Sequence, residues 1–233
     1  MNTVILLAGG CGSRVGAAIP KQYLTINGTA IIEYTLDCFS LVNQIDSIII
    51  VANAETPPGI NERLIRHPKV AKVVPGGCNR IESVRNGFNS LTSLDDDKII
   101  ISDAVRPCVS EKEINELLLA LDKNDAATTF LPSYETIYSA DDLYIKNRLG
   151  REGLIRQTAP EGYLFKTLKY LYNDQEKSTI ASFKNVGIDF LISNGKKVGK
   201  VLSNPFNFKI TTKDDIRLFE TLVYSGIYSE LFR

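Results

Sequence analysis

Thr3-Val4-Ile5-Leu6-Leu7-Ala8 runs directly into Gly9-Gly10-Cys11-Gly12-Ser13-Arg14. Six apolar or β-branched residues without polar alternation suit a strand buried on both faces. A glycine-rich turn at its carboxyl end lets backbone N–H groups approach a ligand, because no Cβ intervenes. Similar runs recur at 47–52, 70–74 and 98–102. Between them the apolar spacing changes to three and four. Ile81, Val84, Phe88 and Leu91 step that way, as do Ile114, Leu117, Leu118 and Leu121 behind a Ser110/Glu113 capping box. Thr212 is placed to cap a last helix carrying Ile216, Phe219 and Val223. Strand–helix alternation predicts parallel βαβ units in a three-layer α/β sheet, with ligands beyond the carboxyl ends of the strands. The stretch 132–160 breaks the pattern: it holds Tyr134, Thr136, Tyr138 and Tyr144 but no sustained helical face. It reads as a protruding arm or as a long loop.

Composition narrows the function. The chain has 233 residues, 44% of them apolar and 23% charged, which fits one domain over 1–233. Lys plus Arg and Asp plus Glu both count 27, so no basic excess suggests nucleic acid as partner. No apolar run is long enough to span a membrane. The N-terminal run lacks a basic segment and flows into glycines, so it reads as a first strand rather than a signal peptide. Cys11, Cys38, Cys78 and Cys108 lie far apart with no CxxC pair, which points to reduced thiols and a cytoplasmic setting. His67 is the only histidine, so Ser-His-Asp and multi-histidine metal chemistry have little to work with.

Four segments are candidates for chemistry. In the first, the turn of Ala8, Gly9, Gly10 and Gly12 can cradle phosphates, and Arg14 and Lys21 supply positive charge. It is not a Walker A loop, which ends in Gly-Lys-Ser/Thr, nor a dinucleotide fingerprint, because Val15 stands where a third glycine belongs. A tight turn with solvated charges is the plain alternative. The second, Gly76 to Val84, follows a strand and opens a helix, whose start exposes N–H groups. Ser83 can donate to a base or ribose there, or simply cap the turn. In the third, Asp103 ends an apolar strand three residues before Arg106. That placement suits a Mg²⁺ ligand beside phosphates, or an ion pair. In the fourth, Lys209 is read as a strand residue aimed into the same cleft, or as a solvated lysine.

The ordered set AGGxGxR, PKQ, GGxxRxxSVxNG, DAVRP and NxKITTxxD resembles the CTP-dependent polyol-phosphate cytidylyltransferases, over nearly the whole chain. Their two branches act on 2-C-methyl-D-erythritol 4-phosphate, in isoprenoid biosynthesis, and on D-ribitol 5-phosphate. The resemblance implies a Rossmann-like nucleotidyltransferase with a β-arm, working as a homodimer through arm exchange. It implies that Arg14 and Lys21 grip the triphosphate, that Gly77 and Ser83 lie near cytosine and ribose, and that Asp103 binds the metal. It places Lys209 beside the α-phosphate, and Arg106, Thr136 and Arg151 at the polyol phosphate, the last two in the partner's site. Three departures stand out: Ser102 for the usual His, Ala159-Pro160-Glu161 for the usual TPQ, and Thr179-Ile180 for an acidic pair. AGG, DAVRP and KITT lean to the ribitol branch, while SVRNGF and REGL lean to the methylerythritol branch. The expectation is CMP transfer from CTP to an alditol phosphate, leaning to ribitol 5-phosphate. A sugar-1-phosphate nucleotidylyltransferase and an inactive nucleotide-binding protein are the alternatives.

Overall fold

The computed structural model describes residues 1–10, 19–53, 56–150, 152–172 and 186–232. At its centre lies β1 (Asn2–Ala8), between the parallel strands β4 (Ser47–Ala52) and β6 (Lys98–Asp103). Beyond β4 lies parallel β5 (Val70–Pro75). On the other side, β10 (Ile155–Leu164) runs antiparallel to both β6 and β7 (Ala126–Pro132), and β11 (Val198–Leu202) pairs parallel with β7. The seven-stranded order is β11-β7-β10-β6-β1-β4-β5, with β10 alone reversed. A short hairpin, β2 (Thr25–Ile26) and β3 (Thr29–Ala30), stands apart.

Period-two alternation divides the core in two. Val4, Leu6, Ile48 and Ile50 pack on one face with Ile32, Leu36 and Phe39 of α1 (Ile31–Ser40) and Ile114 and Leu117 of α4 (Glu111–Ala120). Ile5, Val51, Ile99 and Ile101 pack on the other with Val84 and Phe88 of α3 (Arg80–Asn89), Leu168 and Leu171 of α5 (Phe165–Tyr172), and Leu191 of α6 (Val186–Ser193). A short α2 (Ile60–Leu64) precedes β5. A third cluster joins Tyr34 of α1 to Phe219 of α7 (Lys213–Tyr224) and Tyr228 of α8 (Ile227–Phe232), with edge-on rings 5.1 Å apart for both Tyr34 pairs. The three-layer α/β sheet is thus as expected. No helix among the described residues is long and apolar enough to cross a membrane.

The expected caps form. Ser110 accepts from Glu113 N and Thr212 from Asp215 N, each as a capping box. Leu91 falls just beyond the end of α3 but still packs on the core. Gly87 lets α3 lie close to the sheet, since a Cβ there would meet Ile5 Cγ2 at 2.7 Å. The region 132–160 needs narrower bounds. Its outer part is a hairpin of β8 (Ile137–Ala140) and β9 (Ile145–Leu149), with β9 exposed throughout. Residues 155–160, grouped with the arm from sequence, belong to β10 and the main sheet. Pro160, the far bound of that stretch, lies where the β10–β7 register shifts between Gln157 and Glu161, and the strand continues past it.

Candidate active site

The carboxyl ends of β1 and β6 open into a cavity of about 360 Å³, within the range of small-ligand sites. Ala8, Gly9 and Gly10 line it from β1, Gly77 and Ser83 from the turn before α3, and Lys21, Asp103 and Lys209 from three further segments. Eight sequence candidates far apart in the chain therefore meet in one place. Gly12, Arg14 and Arg151 lie outside the described residues, as does Thr179. Thr136 sits exposed just before β8 and does not line the cavity.

Gln22 holds the glycine turn. Its buried amide donates to Ala8 O at 2.6 Å and Gly10 O at 3.0 Å, and Asn53 Nδ2 donates to Gly9 O at 3.3 Å. With these carbonyls tied back, N–H groups are what the turn has left to offer an anion. Lys21 opens the short 3₁₀ turn Lys21–Tyr23 after Pro20, is buried, and donates from Nζ to Ile210 O at 2.7 Å. An ammonium carries three donors, so this bond orients it and leaves it able to donate elsewhere.

Asn79 caps α3 by accepting from Glu82 N at 2.9 Å. Ser83 is turned inward: its hydroxyl donates to Asn79 O at 2.9 Å and accepts from Gly77 N at 3.1 Å. A hydroxyl has one hydrogen, and here Ser83 uses it within the turn, which is the local-capping alternative read from sequence. On the adjacent wall Arg80 Nη2 donates to the buried Glu161 carboxylate at 2.6 Å.

Asp103 is the one carboxylate of the cavity wall among the described residues. Lys209 Nζ lies 3.0 Å and Arg106 Nε 3.3 Å from its Oδ2. Burial pushes this carboxyl up, but the charges of Lys209, Arg106 and Arg80 outweigh it and hold the pKa below its ordinary value. The ion-pair reading of Asp103 and Arg106 is thus borne out geometrically. It does not use up the carboxylate, since both cations sit on Oδ2 and no described residue donates to Oδ1. Arg106 also donates from Nη1 to Asn207 O at 3.0 Å. Lys209 is not on a strand: it lies in the irregular stretch between β11 and α7 and reaches the cavity from there.

Sequence reading overlooked Gln22, Asn79, the Arg80–Glu161 pair and Asn207. For Gln22 the signal was its place in Pro20-Lys21-Gln22, and for Asn79 its position just before a helical period. The other contacts cross 81 and 101 residues and left no local signal.

This arrangement suits a polyanion: a glycine turn, a helix start and several cations surround one carboxylate. Similarity to known proteins agrees. The family model described as IspD, 2-C-methyl-D-erythritol 4-phosphate cytidylyltransferase, matches residues 2–225. A 2-C-methyl-D-erythritol 4-phosphate cytidylyltransferase of Thermotoga neapolitana is 31% identical over 94% of this chain and 95% of its own. A ribitol-5-phosphate cytidylyltransferase of Lacticaseibacillus paracasei is also 31% identical, over 94% of this chain and 97% of its own. The crystal structure of 4-diphosphocytidyl-2C-methyl-D-erythritol synthase from Anaerococcus prevotii superposes with a TM-score of 0.81 at 25% identity, covering 96% of both chains. The chain belongs to the IspD family and is a nucleotidyltransferase of the cytidylyltransferase kind.

Proposed function

We propose that this protein transfers CMP from CTP to an alditol phosphate, with D-ribitol 5-phosphate as the acceptor. The observation that carries the reading is the meeting of the Gly9-Gly10 turn, Lys21, Asp103 and Lys209 around one cavity. An acceptor phosphate oxygen attacks the α-phosphorus of CTP. A new P–O bond forms, the bond to the β-phosphate bridging oxygen breaks, and pyrophosphate leaves with that electron pair. No covalent enzyme intermediate is required, so a chain with a single histidine is adequate. What the protein supplies is alignment of two anions and opposing charge for the α-phosphate.

In this reading Lys21 and Arg14 hold the triphosphate and Lys209 lies by the α-phosphate, while the turns at Gly9 and Gly77 present backbone donors. Asp103 is suited to a divalent cation. Mg²⁺ is usually held by one or two carboxylates plus substrate phosphates, and Oδ1 is the oxygen that Lys209 and Arg106 leave open. When bound, Mg²⁺ supplies charge neutralisation of the phosphates. Arg106, Thr136 and Arg151 bind the acceptor phosphate, Thr136 and Arg151 from a partner subunit's arm. One domain over 1–233, a cytoplasmic setting and a homodimer complete the proposal.

The second reading is 2-C-methyl-D-erythritol 4-phosphate as acceptor, favoured by the family description and by a relative as similar as the ribitol-type one. A pyrophosphate-release assay with CTP, UTP, GTP and ATP against both acceptors decides. Turnover with CTP and ribitol 5-phosphate at the higher kcat/KM is expected. A higher kcat/KM with methylerythritol phosphate moves the acceptor to the second reading. Equal turnover with ATP overturns cytidine choice, and tight CTP binding without release means an inactive site.

A further inference from the structure

Glu113 lies in the first turn of α4 with its side chain buried. A capping box asks one thing of this residue, a return bond to the cap. Oε2 provides it, accepting from Ser110 N at 2.8 Å and Ser110 Oγ at 2.7 Å. Oε1 is used otherwise. It accepts from Ser203 Oγ at 2.5 Å, Asn204 N at 3.2 Å and Asn207 Nδ2 at 3.0 Å, while Asn204 Nδ2 reaches Oε2. No lysine or arginine pairs with Glu113 among the described residues. A buried carboxylate has thus been given to a loop some 90 residues away, far beyond what a helix cap needs.

That loop leads to the cavity. Asn207, itself 1% exposed, also donates to Ala159 O at 2.6 Å, and its carbonyl accepts from Arg106 Nη1 at 3.0 Å. Arg106 lies on Asp103 Oδ2, and two residues after Asn207 comes Lys209, on the same oxygen. Both cations that hold Asp103 are therefore tied to one stretch of backbone. Ser203 N on Phe130 O and Ile210 N on Val105 O pin its ends, and Glu113 is the one side chain that gathers Ser203, Asn204 and Asn207 between them.

We infer that Glu113 is a positioning residue for the active site: it sets the place of Arg106 and Lys209 around Asp103 through the 203–207 loop. The inference rests on the cytidylyltransferase reading for its kinetic consequence but not for its geometry. Each group on Oε1 presents a hydrogen, so an amide NH₂ in the carboxylate's place either faces donors or rotates to face the Ser110 donors instead. The loop must then shift, and a displacement of about 1 Å in such a site can cost on the order of 10²-fold in rate.

The test compares the wild type with Glu113→Gln and with the milder Ser203→Ala, below the melting temperature of each. Glu113→Gln is expected to lower kcat about 10- to 100-fold while KM for CTP changes less, since Gln22 and Asn53 hold the glycine turn independently of the 203–210 stretch. Acetylation of Lys209, mapped by peptide and referenced to Lys166, is expected to quicken as the Asp103 pair loosens. Ser203→Ala should move both readouts the same way by less, and it carries the test alone if Glu113→Gln does not fold. A lower melting temperature with unchanged kcat and unchanged Lys209 labelling overturns the inference and leaves Glu113 a structural residue. Should the wild type release no pyrophosphate from CTP, the functional reading fails by itself, and Lys209 labelling still decides the role of Glu113.

Discussion

The floor of the cavity and the β8–β9 hairpin are built in opposite ways. On the floor, four polar side chains have fixed addresses: Gln22 on the glycine turn, Ser83 on its own turn, Lys209 and Arg106 on Asp103. The middle residues of β1, β4 and β6 beneath it are buried. The hairpin pairs with itself, and several of its apolar side chains are exposed, Leu143 81%, Ile145 71% and Tyr144 67%. A two-stranded ribbon is marginal by itself in water, and apolar side chains grouped on one mark a contact surface. The floor is organised by contacts within the chain, whereas the hairpin leaves apolar side chains exposed.

The hardest blow to this contrast falls on Asp103. If the floor is catalytic, Asp103→Asn keeps the packing and removes the charge that metal and cations share. The expected loss in kcat is on the order of 10²-fold or more, as for removal of an electrostatic group at a transition state, with the fold retained at a lower melting temperature because Lys209 and Arg106 lose their shared partner. Near-normal turnover in Mg²⁺ would reduce Asp103 to an ion-pair partner. The sign of the pH effect follows from its depressed pKa: the charged form is present at and above the ordinary value of 3.8 and is lost only as pH falls through the lower folded value. A limb of the rate profile near pH 6 would therefore belong to another group.

Lys21→Ala comes next. A buried lysine oriented by Ile210 O and facing developing phosphate charge should cost more in kcat than in KM for CTP, about 10- to 100-fold. If only KM rises, Lys21 serves ground-state binding, and the floor is less specialised than its geometry suggests.

The hairpin is tested by complementation. With a crossed arm, Arg151→Ala spoils the partner's site while Lys21→Ala spoils its own. Mixing the two inactive proteins under subunit exchange then restores one site in each mixed dimer, about a quarter of all sites for random pairing. No recovery despite demonstrated exchange, or a monomer in sedimentation, makes the site self-contained.

How far these regions could be read in advance differs for physical reasons. The floor's strands were legible because an unalternating apolar run has few other uses, and the caps of α4 and α7 because they are three-residue signals. Lys209 was misplaced onto a strand because Phe208 and Ile210 flank it as strand residues would. Both are in fact packed on the aromatic cluster of α7 and α8. The extent of β10 was hidden because residues 155–160 lack both a helical face and an unbroken apolar run, and the sheet takes in Pro160 at a register shift. Glu113 was visible as half a capping box. Its other oxygen serves Ser203 and Asn207, and no local pattern encodes a contact across such a span.

The smallest effect separates the pH response of the fold from that of the floor. His67 Nε2 lies 3.0 Å from Asp37 Oδ1 on the outer side of α1, and Nδ1 lies 3.2 Å from Pro68 O. None of these residues lines the cavity. Burial pulls the imidazole pKa down, but the bond to Asp37, the Pro68 carbonyl and the charges of Asp37 and Glu33 outweigh it, so the value ends above 6.5. In the imidazolium both ring nitrogens donate, one to each oxygen. A folded pKa above the unfolded one means that the stabilisation is fully present below about pH 6.5 and is lost as pH rises through the raised value. Asp37 and His67 are both partly exposed, so the size is about 1 kcal/mol or less. Urea unfolding of the wild type should therefore weaken between pH 5.5 and 8.5 relative to His67→Gln, while the two rate profiles superimpose. Because the chain has no other histidine, an identical decline in both proteins would remove the Asp37 pair as its source. A change in the rate profile would instead couple α1 to the floor that it was expected to leave untouched.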